Sequence, residues 1–232
     1  MFNNFKFMKK ILRKFLPKKL FVIYRFIKKQ LRNIPDSEQV YFDANSVYEG
    51  HFNVTYRGVR ALKCPFDYVM YQMLVLKMKP DLIVEIGADY GGGALYLADL
   101  LDLVGKGEVH TIDVEDKVGD LVKSHPRIKL FLNGWQKYEL PKNFKNVLII
   151  DDGSHLYEEV LGALKKFSPN ASYYIVEDGI VDELGKFKNQ SPIKAINEFL
   201  SGNSGWEIDR EYCDMFGKNA TFNVNGYLKK TK

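Results

Sequence analysis

Two acidic clusters carry the chemistry that can be read from this 232-residue chain: Asp151-Asp152-Gly153-Ser154-His155 and Val176-Glu177-Asp178-Gly179. Each follows a short apolar run, Val147 to Ile150 and Tyr173 to Val176, expected to be a strand of a buried parallel sheet. The clusters then sit at carboxyl ends of strands, the edge where open α/β sheets bind ligands. Carboxylates converging in a pocket repel one another unless a cation joins them. Asp152, Glu177 and Asp178 are therefore read as oxygen ligands of Mg²⁺ or a similar hard divalent metal. His155, three residues after Asp152, is placed to take a proton from a hydroxyl at that site, so Asp152 and His155 form the candidate catalytic pair. Helix capping is the competing reading, because Asp and Ser are common at strand-to-helix junctions, and Glu158 and Glu159 favour the positive end of a helix dipole. A zinc helix starting at His155 is excluded, since the required second histidine is missing.

A second feature is the turn Glu85-Ile86-Gly87-Ala88-Asp89-Tyr90-Gly91-Gly92-Gly93, between an expected strand (Leu82 to Ile86) and helix (Ala94 to Leu103). Its spacing is neither the G-x-G-x-x-G of a dinucleotide fold nor a phosphate-binding P-loop, which disfavours a pyrophosphate ligand. Asp113, at the end of the next strand (Glu108 to Ile112), is placed to accept hydrogen bonds from ribose hydroxyls. Glu85 resembles the acid that opens the glycine-rich motif of class I methyltransferases, whose ligand carries an amino group and a sulfonium. On purely structural grounds, Glu85 would pair with a neighbouring base and Asp113 would cap a helix.

Behind these residues stands a regular alternation: the strands above, a helix over Phe66 to Met78 stopped by Pro80, and a helix from about Leu156 to Phe167. Short apolar strands alternating with helices predict an α/β fold with a mostly parallel sheet covered on both faces. Three segments are expected: a basic amphipathic helical arm over 1–34, a lead-in segment over 35–64 with a strand-like patch at Phe52 to Tyr56, and the main domain over 65–232.

Residues 1–35 hold eleven Lys or Arg and no acid, leaving 23 basic against 29 acidic residues in the remainder. With the charge so confined, a nucleic-acid-binding body is not expected. In the arm, Phe5, Met8, Leu12 and Phe15, then Leu20, Ile23, Tyr24, Ile27 and Leu31, recur at helical spacing on either side of Pro17. Such helices suit an anionic membrane surface, and equally an arm packed on its own domain or exchanged in a homo-oligomer. No apolar run is long enough for a signal peptide or a membrane span. Cys64 and Cys213 show no metal-ligand spacing and read as reduced thiols, so the expected location is cytoplasmic, or peripheral on the inner membrane face through the arm.

Taken in order, Lys63-Cys64-Pro65-Phe66-Asp67, Tyr71-Gln72, Lys79-Pro80-Asp81, the glycine turn, Ile112-Asp113, Asp152 with His155, Glu177-Asp178 and Asn225-Gly226-Tyr227-Leu228-Lys229 resemble the cephalosporin hydroxylase and rhamnosyl O-methyltransferase family over about residues 50 to 230. The resemblance implies a Rossmann-like class I methyltransferase fold, a seven-stranded sheet with an antiparallel C-terminal strand, and S-adenosylmethionine as donor. The cofactor site it implies comprises Glu85, Gly87, Ala88, Asp89, Gly91, Gly92, Asp113, Trp135 and Asp151, with a metal at Asp152, Glu177 and Asp178. Asn133-Gly134-Trp135-Gln136 departs from the Gly-Ser-rich turn usual there, so Trp135 is expected over the adenine. Despite one family name, no two-His-one-carboxylate iron pattern is visible. The activity expected is metal-dependent O-methylation of a sugar hydroxyl, on a bacterial surface polysaccharide or lipid-linked glycan. The alternatives are methylation of a small secondary metabolite, a nucleotide-binding oxidoreductase, and a non-catalytic membrane-surface scaffold.

Overall fold

The computed structural model describes residues 43–185 and 191–231. The expected arm at 1–34 and the start of the lead-in segment lie outside the described residues. From Ala44 onward the chain packs as one compact unit. It opens with helix α1 (Ala44–His51) and a two-stranded ribbon, β1 (Thr55–Tyr56) with β2 (Val59–Arg60). The strand-like patch is thus shorter than expected: Phe52 lies outside the ribbon, with 48% of its surface exposed. Helix α2 (Pro65–Met78) starts on a proline, whose fixed φ and missing N–H suit the first helical position.

The main sheet contains β3 (Leu82–Ile86), β4 (Glu108–Ile112), β5 (Ile128–Phe131), β6 (Val147–Asp151), β7 (Tyr173–Val176), β8 (Trp206–Ile208) and β9 (Tyr227–Lys230), in the order β5-β4-β3-β6-β7-β9-β8. The five on the β5 side run parallel, and β9 is antiparallel to both β7 and β8. Helices α3 (Gly92–Val104), α4 (Asp120–Lys123), α5 (Tyr157–Phe167), α6 (Ile180–Glu183), α7 (Pro192–Gly202) and α8 (Arg210–Cys213) complete the described elements. One sheet face is sealed by Met70, Tyr71 and Leu74 of α2 with Leu95 and Leu101 of α3. The other is sealed by Val160 and Leu164 of α5 with Ile196 and Phe199 of α7. Every residue of β3, β6 and β7 is buried, as two-sided cover requires.

Register places the chemistry. Ile86 stands level with Ile112 and Asp151, and Asp151 with Val176. The ladder runs one step further, through Gly87 N–H to the Ile112 carbonyl at 2.8 Å, Asp152 N–H to Ile86 at 2.9 Å and Glu177 N–H to Asp151 at 2.9 Å. Four neighbouring strands therefore end together, each followed at once by a residue singled out in the sequence. Among the described residues no helix is long and apolar enough to cross a membrane.

Candidate active site

A cleft of about 660 Å³ opens along this edge, a size suited to a small organic ligand. Glu85, Gly87, Ala88, Asp89, Gly92, Asp113, Trp135, Asp152, His155 and Asp178 all line it. Gly91, Asp151 and Glu177 are not among the lining residues, each for a local reason. Gly91 turns toward Val118 and Val122. Asp151 and Asp152 are consecutive at the β6 end, where side chains of an extended strand alternate sides, whereas between Glu177 and Asp178 the backbone leaves the extended form, Asp178 having φ of +56°. Asp151 is turned down to Tyr174, whose hydroxyl donates to it at 3.3 Å, and burial pushes its carboxyl up to about 7. Glu177 is turned into the α2 side of the sheet, where the Tyr71 hydroxyl donates to its Oε1 at 2.7 Å.

At one end of the cleft the main chain does the organising. Gly87 has φ of +94°, and a Cβ there would lie 2.1 Å from the Asp152 carbonyl oxygen, so only glycine lets the β3 and β6 tips meet. Asp113 accepts the N–H groups of Ala88 (2.9 Å) and Asp89 (3.1 Å) through Oδ2, and those of Val114 (2.7 Å) and Glu115 (3.2 Å) through Oδ1. Its carboxylate thereby folds the glycine turn against β4. Glu85 is buried under the turn, accepts from Thr111 Oγ1 at 2.7 Å, and is pushed up to about 8 by burial, against the pull of Lys63 and the Thr111 hydrogen bond. Trp135 lies on α5 beside Gly162, where any Cβ would touch its ring, and donates Nε1–H to Glu159 at 2.9 Å. Gln136 donates to the same Glu159 oxygen at 2.7 Å. Glu159, read from sequence only as a dipole partner, thus also anchors the cleft wall.

The other end is held by side-chain charge. Asp152, His155 and Asp178 can each offer a ligand atom within 4.8 Å of the others. His155 Nε2 lies 3.3 Å from Asp178 Oδ2 and 3.9 Å from Asp152 Oδ1. Asp89, His155 and Asp178 all hold left-handed backbone, with φ of +43°, +57° and +56°. Such conformations, uncommon outside glycine, cluster where function over-determines the backbone. Behind Asp152 lies Lys63, which in the sequence stands out only as part of Lys63-Cys64-Pro65-Phe66-Asp67. Its Nζ donates to Asp152 Oδ2 at 2.8 Å and to Glu177 Oε1 at 2.6 Å, with only 3% of the side chain exposed. Burial works against that charge, but Asp152, Glu177 and Glu85 outweigh it and hold the ammonium well above its ordinary value. Burial likewise pushes Asp152, Glu177 and Asp178 up, and repulsion among the acids adds to it. Asp152 and Asp178 around one point, with Glu177 a third carboxylate behind them, are an oxygen set that fits a hard divalent cation, and His155 stands beside it.

A second acid-rich group, Asp99 and Asp102 with His125, is already compensated by Arg57 and Arg127.

The family model described as Rhamnosyl O-methyltransferase/CmcI matches residues 48–231. A rhamnosyl O-methyltransferase of Mycobacterium leprae (strain TN) is 28% identical over 203 residues, covering 78% of this chain and 86% of the relative. A protein of the same name from Mycobacterium tuberculosis (strain ATCC 25618 / H37Rv) is 28% identical over 141 residues, 55% of this chain and 58% of the relative. Among solved structures, a CmcI structure described with Mg and SAM has a TM-score of 0.63 at 21% identity, covering 85% of this chain and 82% of that one. The O-methyltransferase TomG from Streptomyces achromogenes, in complex with SAM, has a TM-score of 0.51 at 14% identity, covering 84% and 93%. At these identities the structural likenesses speak for the Rossmann-like fold.

Proposed function

The chain belongs to the rhamnosyl O-methyltransferase/CmcI family and is an S-adenosylmethionine-dependent O-methyltransferase, and from that premise we propose that it methylates a sugar hydroxyl with the help of a divalent metal such as Mg²⁺. The observation that carries the reading is the meeting of Asp152, His155 and Asp178 beside the Gly87 turn in one cleft. S-adenosylmethionine supplies a methyl group on positively charged sulfur, and a hard divalent cation, when bound, supplies a Lewis acid that eases deprotonation of a hydroxyl.

The remaining work falls to this chain's own residues. Glu85, buried under the turn, faces the donor's amino end with its carboxyl oxygens as hydrogen-bond acceptors, while Asp113 and Trp135 flank its nucleoside. Asp152 and Asp178, with Glu177 behind them, hold the metal. His155 Nε2 accepts the proton of the acceptor hydroxyl, and the two aspartates beside it orient and stabilise the imidazolium that results. The strand tips bring donor and acceptor into one cleft, which lowers the entropic part of the barrier. A sugar acceptor is favoured over a small secondary metabolite by the rhamnosyl O-methyltransferases among the relatives. The basic arm at 1–34 would suit an enzyme working on a surface polysaccharide or lipid-linked glycan at the inner membrane face.

Isothermal titration with S-adenosylhomocysteine, with and without Mg²⁺, tests the core, followed by mass spectrometry of a rhamnoside incubated with enzyme, S-adenosylmethionine and Mg²⁺. Binding and a one-methyl mass gain that chelator abolishes are expected. Absence of S-adenosylhomocysteine binding would remove the cofactor site, and turnover that persists in chelator would remove the metal.

A further inference from the structure

We propose that Lys63 is a resident counter-cation of the carboxylate cluster: its ammonium binds Asp152 and Glu177 in the metal-free chain, and by competing for their oxygens it sets how tightly a metal is held. This rests on the metal reading above and deepens it.

Lys63 Nζ bridges Asp152 Oδ2 at 2.8 Å and Glu177 Oε1 at 2.6 Å, and Asp152 turns its other oxygen toward His155. One cation thus already occupies oxygens of two of the three carboxylates proposed for the metal. It has little room to withdraw. Its backbone N–H is bonded to the Ala61 carbonyl at 2.9 Å, and α2 begins two residues later. Its stem passes Gly93, where an added Cβ would lie 3.1 Å from Cε and 2.3 Å from Glu85 Oε1. Glu177 is fixed from the far side by the Tyr71 hydroxyl. A buried ion pair deprived of one partner leaves an uncompensated charge, so Asp152 and Glu177, with Asp178 beside them, need an internal cation whenever metal is absent. A cation within 3 Å of a ligand oxygen also repels an incoming metal.

Two roles for Lys63 predict opposite signs. A lysine that merely braces the fold would, on removal, weaken stability and metal binding together. A competing cation would, on removal, weaken the metal-free fold and strengthen metal binding.

The full chain and its Lys63→Met variant are compared by titration with Mn²⁺, followed through the electron paramagnetic resonance of the free ion, and by thermal melts with and without Mn²⁺. Lys63→Met is expected to melt several degrees lower without metal, to bind Mn²⁺ on the order of tenfold more tightly, and to gain more from Mn²⁺ in melting temperature than the wild type does. If the metal-free variant shows no cooperative melt, saturating Mn²⁺ is expected to restore one; a variant that stays unfolded in millimolar Mn²⁺ overturns the proposal. Equal or weaker binding by a folded variant also overturns it and leaves the metal reading standing. Absence of Mn²⁺ binding by both chains removes the metal reading, and the proposal with it.

Discussion

Asp113 satisfies its carboxylate with four main-chain N–H groups, whereas Asp152 lies between the Lys63 ammonium and the His155 imidazole. The two acids close neighbouring parts of one sheet edge, yet one end of the cleft is organised by backbone and the other by charged side chains. Backbone organisation draws only on the two turns that follow β3 and β4, whose paired residues stand 24 and 25 apart. Charge organisation needs partners delivered from elsewhere: Lys63 comes from 89 residues before Asp152 and 114 before Glu177. The nucleoside end should therefore respond chiefly to turn geometry, and the carboxylate end to charge and metal.

The contact joining the two ends offers the largest effect. Gly87→Ala would drive a Cβ into the Asp152 carbonyl from a left-handed backbone, costing about 3 kcal/mol or more. Melting should fall by many degrees, and S-adenosylhomocysteine and Mn²⁺ affinities should fall together in calorimetric titrations. Loss of only one would show that this contact does not couple the ends.

Next comes a crossed pair. Asp113→Ala should weaken S-adenosylhomocysteine binding by roughly 10- to 100-fold, the loss expected for charge-assisted hydrogen bonds, and leave Mn²⁺ affinity within about twofold. Asp178→Asn should do the reverse, weakening Mn²⁺ by about tenfold or more and slowing methyl transfer by at least ~100-fold. Either variant disturbing both ligands equally would erase the distinction between the ends.

The smallest effect concerns pH. Glu85 is raised from 4.5 to about 8 in the folded chain, so the folded state keeps a proton that the unfolded state releases. Stability from this group is complete below pH 4.5 and disappears as pH rises through about 8. Between pH 7 and 9 the wild type should lose roughly 1 kcal/mol that Glu85→Gln does not. Asp67 and Asp151, both raised to about 7, act with the same sign in both chains and cancel in the difference. Denaturant melts at the two pH values read the effect, and equal losses in the two chains would place the Glu85 proton elsewhere.

The same contrast explains what the sequence revealed. The strand tips, the glycine turn, Asp113 and the acids at 152, 177 and 178 were legible because apolar runs end abruptly at them. Glu177 and Asp178 read as equal partners, since adjacent acids look alike until register assigns one to the interior and one to the cleft. Lys63 gave no local signal: one lysine before Cys64-Pro65 has no periodicity, and its partners are set by topology alone. Glu159 was seen as a dipole partner, because nothing in a helix's first turn announces a tryptophan from another loop. The antiparallel strand β9 came from the resemblance, and its position between β7 and β8 depends on a long return of chain that no local pattern specifies.

Asp89, His155 and Asp178 keep left-handed backbone in one cleft, and glycine at any of the three would relieve that conformational cost. Selection for heat tolerance alone would then pull this sequence toward glycine at three positions of the proposed site. A library screened only for survival of heating is expected to accumulate such changes and yield sturdier, inert descendants. These left-handed positions would therefore persist only under continued demand for turnover.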